Sequence, residues 1–355
     1  MVFSLQSFNS LLPEEMRELI TPAFRAVQVF DWLQHKGVSS FDEMTNLPKG
    51  LRTRLAEQFM LSTCDIAKKQ VSADGTVKYL FRLNDGELIE SVVMHYEHGR
   101  SICLSTQVGC KMGCTFCASG QHGFQRNLQA GEMLAQIHAA QRDLNITITH
   151  IVLMGMGEPL DNYDNTLRFL RLVTHKDGLN IGQRKISLST CGLVPQIEKL
   201  ADEKLGITLS VSLHAANNAL RSELMPINHK YPLEELLAAC QRYIAQTGRR
   251  ISFEYALLRG INDTTKHAQE LADQLRGMLC HVNLIPANDI GRGFAKSKPE
   301  DVTTFQAVLE KNKINTTVRR SLGKDIDAAC GMLDARHKTL DVRCDLPNAD
   351  LKSNI

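Results

Sequence analysis

At the start of the chain apolar residues recur at helical spacing, and then the period shortens. Over residues 22–33, Phe24, Val27, Phe30 and Leu33 fall near one face of a helix, with Gly37 as its stop. Ser40 and Asp42 open a second short helix, and Pro48 opens a third that carries Arg52 and Arg54. Residues 1–63 therefore read as a small helical domain. From Val71 to Val93 the pattern alternates: Tyr79, Phe81 and Leu83 run out, Asn84-Asp85-Gly86 turns, and residues 88–93 return. Residues 64–95 read as a connecting β-hairpin.

Further on, continuous apolar runs alternate with amphipathic ones. Strands are expected at 101–107, 148–154, 185–189, 207–213, 251–257 and 281–285. Helices are expected at 131–144, 162–175, after Leu193, and at 232–246, 264–278 and 300–311. Apolar strands alternating with helices call for a parallel sheet covered on both faces. Six such units are too few to close an eight-stranded barrel, so the fold class is α/β, an open partial (βα)6 barrel. It spans residues 96–336, and a polar tail follows at 337–355. In such folds chemistry gathers where strands end at their carboxyl side.

Composition narrows the classes. The chain has 355 residues and a net charge of +2, so any polyanion must be met by local patches. No apolar run is long enough for a membrane helix, and residues 1–15 lack the basic start and apolar core of a signal peptide. Ten cysteines in that setting fit a reducing, cytoplasmic compartment, where thiols serve metals or catalysis.

Three of them are grouped as Gly109-Cys110-Lys111-Met112-Gly113-Cys114-Thr115-Phe116-Cys117. Thiolates select Fe–S clusters, zinc or Cu(I). Structural zinc wants four ligands, commonly from two C-x2-C pairs, and only one pair is present here. A [4Fe–4S] cluster on three cysteines keeps one iron without a protein ligand, where a small chelating molecule can bind. Zinc stays open as an alternative if His95 or His122 completes the set.

The same stretch, extended through Cys117-Ala-Ser-Gly and Gly123-Phe-Gln-Arg-Asn-Leu128, resembles the RlmN/Cfr family of radical S-adenosylmethionine (SAM) RNA adenine methyltransferases. The string from Phe41 to Pro48 and Asp325-Ile-Asp-Ala-Ala-Cys330-Gly331 match as well. The likeness covers all but about the last fifteen residues and implies a radical SAM partial barrel. It implies Cys110, Cys114 and Cys117 as cluster ligands. It implies Gly157, Glu158, Ser189, Ser212, Leu213, His214 and Asn288 as the SAM pocket, with Glu158 opposite the amino group of SAM. By the same resemblance Cys330 takes a methyl group from one SAM. A radical made from a second SAM then activates that methyl for addition to adenine, so two SAM molecules are used per turnover. Cys103 would release the product through a disulfide with Cys330, and Glu90 would accept a proton.

The resemblance implies methylation of carbon 2 of adenine in 23S rRNA and certain tRNAs, with a reducing protein such as flavodoxin or ferredoxin and a monomeric enzyme. Pro159 after Glu158 resembles that branch, and methylation at carbon 8 is the alternative within the family. A zinc-stabilised RNA-binding module without catalysis, and a radical enzyme acting on protein or small molecules, are the alternatives outside it. Lys68-Lys69, Arg249-Arg250 and Arg319-Arg320, with Arg292, Lys296 and Lys298, are expected to contact RNA phosphates.

Overall fold

The change of period at Cys64 is a change of element. Three short helices come first in the computed structural model: α1 (Pro13–Leu19), α2 (Phe24–Asp31) and α3 (Lys49–Gln58). Strands β1 (Cys64–Val71), β2 (Val77–Leu83), β3 (Leu88–Tyr96) and β4 (Gly99–Cys103) follow. The short strands β5 (Gln107–Gly109) and β6 (Phe124–Asn127) form their own antiparallel pair around the cysteine motif. Then α4 (Ala130–Leu144), β7 (His150–Leu153), α5 (Tyr163–Thr174), β8 (Ile186–Thr190), α6 (Val194–Asp202) and β9 (Thr208–Ser212) alternate. Helices α7 (Asn218–Leu224) and α8 (Leu233–Thr247) precede β10 (Ile251–Leu257), α9 (Thr265–Gln274), β11 (Cys280–Pro286), α10 (Pro299–Lys311) and β12 (Thr316–Val318). The structure describes residues 7–121, 123–286, 294–320 and 322–333.

Ten strands form one open sheet in the order β1-β2-β3-β4-β7-β8-β9-β10-β11-β12. From β4 onward all neighbours are parallel, and β10, paired on both sides, is buried along its whole length. Both faces of this strand are covered, so Ser252 and Glu254, which alternate with Ile251, Phe253 and Tyr255, are buried as well. Two departures from the sequence expectation follow from burial. The 64–95 hairpin is not a separate joint, because β3 pairs antiparallel with β4, Cys103 opposite Val92, so the antiparallel strands extend the main sheet. Tyr79, Phe81, Ile89 and Val93 are fully buried, and continuity with the sheet supplies their cover. At the far edge β12 adds a further parallel strand, too short and too exposed to leave an apolar pattern.

The N-terminal helices are seated on α4 and α5. Arg142 Nη2 donates to the Gly37 carbonyl (2.9 Å), Gly131 N–H donates to Ser10 Oγ (2.8 Å), and Arg168 pairs with Glu15 (2.6 Å). Helix α4 is consequently buried on all sides from Ala130 to Ala140. Its first turn is closed by Glu132, which accepts the Gln129 N–H (2.8 Å), and Asn145 in the left-handed region ends it.

Candidate active site

The cysteine loop leaves β5 through Gly109, whose φ is +74°, and a Cβ there would lie 1.9 Å from the Gly123 carbonyl oxygen. Only glycine permits that approach. Cys110 N–H donates to the same carbonyl (3.1 Å), and Thr115 N–H donates to the Leu224 carbonyl at the end of α7 (3.0 Å). Cys110, Cys114 and Cys117 all line one cavity at the carboxyl ends of the parallel strands. Burial pushes the Cys110 thiol up to about 12 and raises Cys114 and Cys117 as well. Backbone N–H groups counter this, Met112 at the Cys110 sulfur and Ser119 and Gly120 at the Cys117 sulfur.

The donor set, three thiols of one loop facing a common cavity, fits an iron–sulfur cluster. His95 lies on an exposed part of β3, and His122 lies outside the described residues.

The cavity is open to solvent, with about 1060 Å³ of space when that open part is included. Gly157, Glu158, Ser189, Ser212 and His214 line it. Glu158 is buried, its Oε2 accepting Cys191 N–H (2.7 Å) and its Oε1 accepting Leu160 N–H (3.1 Å). Burial raises its pKa, and those donors work against the rise. Gly157 has φ +101°, and a Cβ there would lie 2.6 Å from Gln107 Cβ. The glycine thus serves the packing of this loop against β5. His214, itself at φ +56°, accepts Ala256 N–H on Nδ1 (2.9 Å), which assigns its ring proton to Nε2. Burial, with Arg221 nearby, lowers it to about 3, so the imidazole is neutral at any physiological pH. Glu254 was not foreseen. Its Oε1 accepts from Asn283 (3.0 Å), while its buried Oε2 on the cavity wall has no hydrogen-bond partner. An unsatisfied carboxylate oxygen in a cavity is a receptor for a ligand hydroxyl or N–H.

Cys330 also lines the cavity. Its segment lies on the cysteine loop: Ala118 N–H donates to the Gly331 carbonyl (2.8 Å), and Ser119 Oγ donates to the Leu333 carbonyl (2.7 Å). The β1–β2 turn holds the other side, with Asp74 Oδ2 accepting Gly323 N–H (2.9 Å) and Asp325 accepting Ser72 Oγ (2.5 Å) and Ala73 N–H (3.0 Å).

Three of the expected site residues are not on the cavity lining. Cys103 is buried at the end of β4, its thiol pushed up to about 12 by burial and by Cys330. Leu213 is fully buried and turned into the core. Glu90 is fully buried in β3 and does not line the cavity, and Lys78 Nζ stands 3.2 Å from its carboxylate. Asn288 and Arg292 lie outside the described residues.

A family model described as the radical SAM superfamily matches residues 104–273. A second, described as a ribosomal RNA large subunit methyltransferase N-terminal domain, matches residues 11–61. The chain is 54% identical over 334 residues to a probable dual-specificity RNA methyltransferase RlmN of Alkaliphilus oremlandii, covering 92% of this chain and 97% of that one. It is an RlmN-family protein. The RlmN of Bacillus licheniformis is 49% identical, over 96% of this chain and 94% of its own. A crystal structure of a radical SAM methyltransferase from Sphaerobacter thermophilus superposes with a TM-score of 0.89 at 46% identity, over 93% of this chain and 99% of that one. Membership of the RlmN family bears out the resemblance, the α/β radical SAM fold, and a methyltransferase using a [4Fe–4S] cluster and SAM.

Within this RlmN-family site the basic residues need revision. Arg319, expected on the RNA-facing surface, lines the cavity, its charge favoured first by Cys330 and then by Glu254, Tyr96 and Cys103. Lys69 pairs with Asp143 (2.5 Å), and Arg249 Nε donates to the Ile207 carbonyl (2.9 Å). Adjacent arginines in sequence give no sign of which one turns inward.

Proposed function

We propose that this chain methylates carbon 2 of adenine in 23S rRNA and in certain tRNAs, using Cys330 as the methyl carrier. The reading rests on one observation: the segment bearing Cys330 is hydrogen-bonded to the loop bearing Cys110, Cys114 and Cys117, over the cavity that contains Glu158. The three thiols would hold the [4Fe–4S] cluster, which when bound supplies one electron to SAM, while SAM supplies the methyl group and the means of removing a hydrogen atom.

The chain's own groups divide the remaining work. Glu158, fixed by two backbone donors, accepts the ammonium of SAM, and a positive partner favours its ionised form against burial. Gly157 carries that carboxylate's backbone past Gln107. Ser189, Ser212 and the Nε2–H of neutral His214 offer hydrogen bonds to the ligand, Glu254 Oε2 accepts one, and Asn288 is assigned to the same pocket. Leu213 backs the pocket from the core. Arg319 stands among Cys330, Cys103 and Tyr96, where its charge works against the rise that burial gives the Cys103 thiol. Cys103 then closes a disulfide onto Cys330: its thiolate forms the S–S bond, the bond from the Cys330 sulfur to the carbon attached to the base breaks, and that carbon takes up a proton as the methylated base leaves. Glu90 acts through Lys78, whose ammonium donates to the Asp327 carbonyl (2.6 Å) and so helps hold the Cys330 segment.

The RNA base must leave its stack to reach this depth. Among the described residues no helix is long and apolar enough to cross a membrane. We place the enzyme in the cytoplasm as a monomer reduced by flavodoxin or ferredoxin. The test is mass spectrometry of nuclease-digested RNA after incubation with reconstituted protein, SAM and a low-potential reductant. 2-Methyladenosine is expected. 8-Methyladenosine would indicate the other branch, and unmodified RNA with colourless zinc protein would overturn the reading.

A further inference from the structure

Arg221, on α7, has no solvent exposure. Its guanidinium donates to the carbonyls of Leu213 (Nε, 3.2 Å), Cys191 (Nη2, 2.8 Å) and Ser212 (Nη2, 3.2 Å), and to Asn228 Oδ1 (Nη1, 2.9 Å). All four acceptors are neutral. Among the described residues no carboxylate pairs with it, whereas the equally buried Lys78 stands 3.2 Å from the Glu90 carboxylate. Arginine is almost never fully buried without a partner, because taking a cation out of water without an anion is costly. An anion therefore belongs beside it.

The ionisable groups that act on Arg221 are the thiols of Cys191, Cys114 and Cys240. Cys191 and Cys240 are held protonated by burial, Cys240 up at about 12. Cys114 differs, because a metal ligand is ionised by the metal itself. Helix α7 makes the connection twice: it carries Arg221, and its Leu224 carbonyl takes the N–H of Thr115, the residue after Cys114 (3.0 Å). We propose that Arg221 is the buried counter-charge of the iron-binding loop, a positioning residue that makes the cluster easier to reduce. One electron enters from a low-potential donor and no proton moves. A fixed positive charge in a medium of low dielectric favours the form with one more negative charge. The proposal rests on the assignment of the three thiols to a [4Fe–4S] cluster.

The experiment is a spectroscopic redox titration of reconstituted protein, comparing Arg221→Gln, Arg221→Lys and Asn228→Ala. Iron and sulfide are counted first in the unaltered protein, and a failure there sinks the cluster assignment, not the role of Arg221. With the cluster present, Arg221→Gln is expected to lower the reduced fraction at fixed potential at least tenfold, about 59 mV for one electron. Arg221→Lys keeps the charge and Asn228→Ala keeps the guanidinium, so both should stay within threefold of the unaltered protein even where they melt earlier. Should Arg221→Gln and Arg221→Met both fail to fold while Arg221→Lys folds, the requirement for charge stands. Equal potentials in Arg221→Gln and the unaltered protein, or a lysine variant that fails to fold alongside the neutral ones, would overturn the proposal in favour of hydrogen bonding alone.

Discussion

Gly157→Ala puts a methyl group where the chain has no room for one. At φ +101° an L-residue is strained by about 1–3 kcal/mol. The new Cβ would also lie 2.6 Å from Gln107 Cβ and 2.9 Å from its backbone nitrogen, and crowding of this kind costs about 1–3 kcal/mol more. A combined cost of roughly 4 kcal/mol by those two effects is more than the loop can absorb in place. It relaxes by moving away from Gln107. That movement breaks the bond from Glu158 N–H to Gln107 Oε1 (2.8 Å) and those from the N–H groups of Thr106 and Gln107 to the Met156 carbonyl (2.9 and 3.2 Å). Glu158 then no longer faces the cavity as before. Equilibrium dialysis of SAM against anaerobically reconstituted protein should show at least a tenfold loss of affinity, about 1.4 kcal/mol. Gly182→Ala is the control, since φ is −57° there and a Cβ would touch nothing within 4 Å. A Gly157→Ala protein that binds SAM within twofold of the unaltered one would refute the reasoning.

Acid should destabilise the fold early. His138 and His214 are lowered to about 4 and about 3, first by burial and then by Arg142 and Arg221 respectively. Both are neutral when folded, and the unfolded chain takes up protons near pH 6.5. Stability is therefore full above pH 6.5 and falls as pH drops from there toward the folded values. The loss at pH 5 is about 2 kcal/mol for each histidine, at 1.36 kcal/mol per unit. Urea denaturation at pH 7 and pH 5 measures it, and His138→Gln should remove about half of the difference. Ser119→Ala deletes the bond to the Leu333 carbonyl, worth about 1–2 kcal/mol when a buried acceptor is left behind. Hydrogen exchange in residues 322–333 should accelerate about tenfold, and unchanged protection would mean that the Cys330 segment is held from the β1–β2 turn alone.

The βα rhythm was legible because burial leaves a pattern: Ile251–Leu257, apolar at five of its seven positions, is buried throughout and paired on both sides. Position within the sheet was not. Nothing local in residues 64–95 says that β3 will pair with β4, since pairing partners are chosen by the shared need to cover Tyr79 and Phe81. The cysteine motif announced its own chemistry through spacing, and Cys330 was reachable only through resemblance. Arg221, Glu254 and Arg319 carry no spacing signature. Each gains its role from being desolvated beside groups distant in sequence, which only the folded chain brings together.

The most direct measurement is intact-protein and peptide mass spectrometry of protein made in cells with iron supplied. One added methyl group is expected, located on Cys330 and absent from Cys330→Ala. An unmodified Cys330 in protein that carries its full cluster, or the same methyl persisting in Cys330→Ala, would contradict the role given to this thiol.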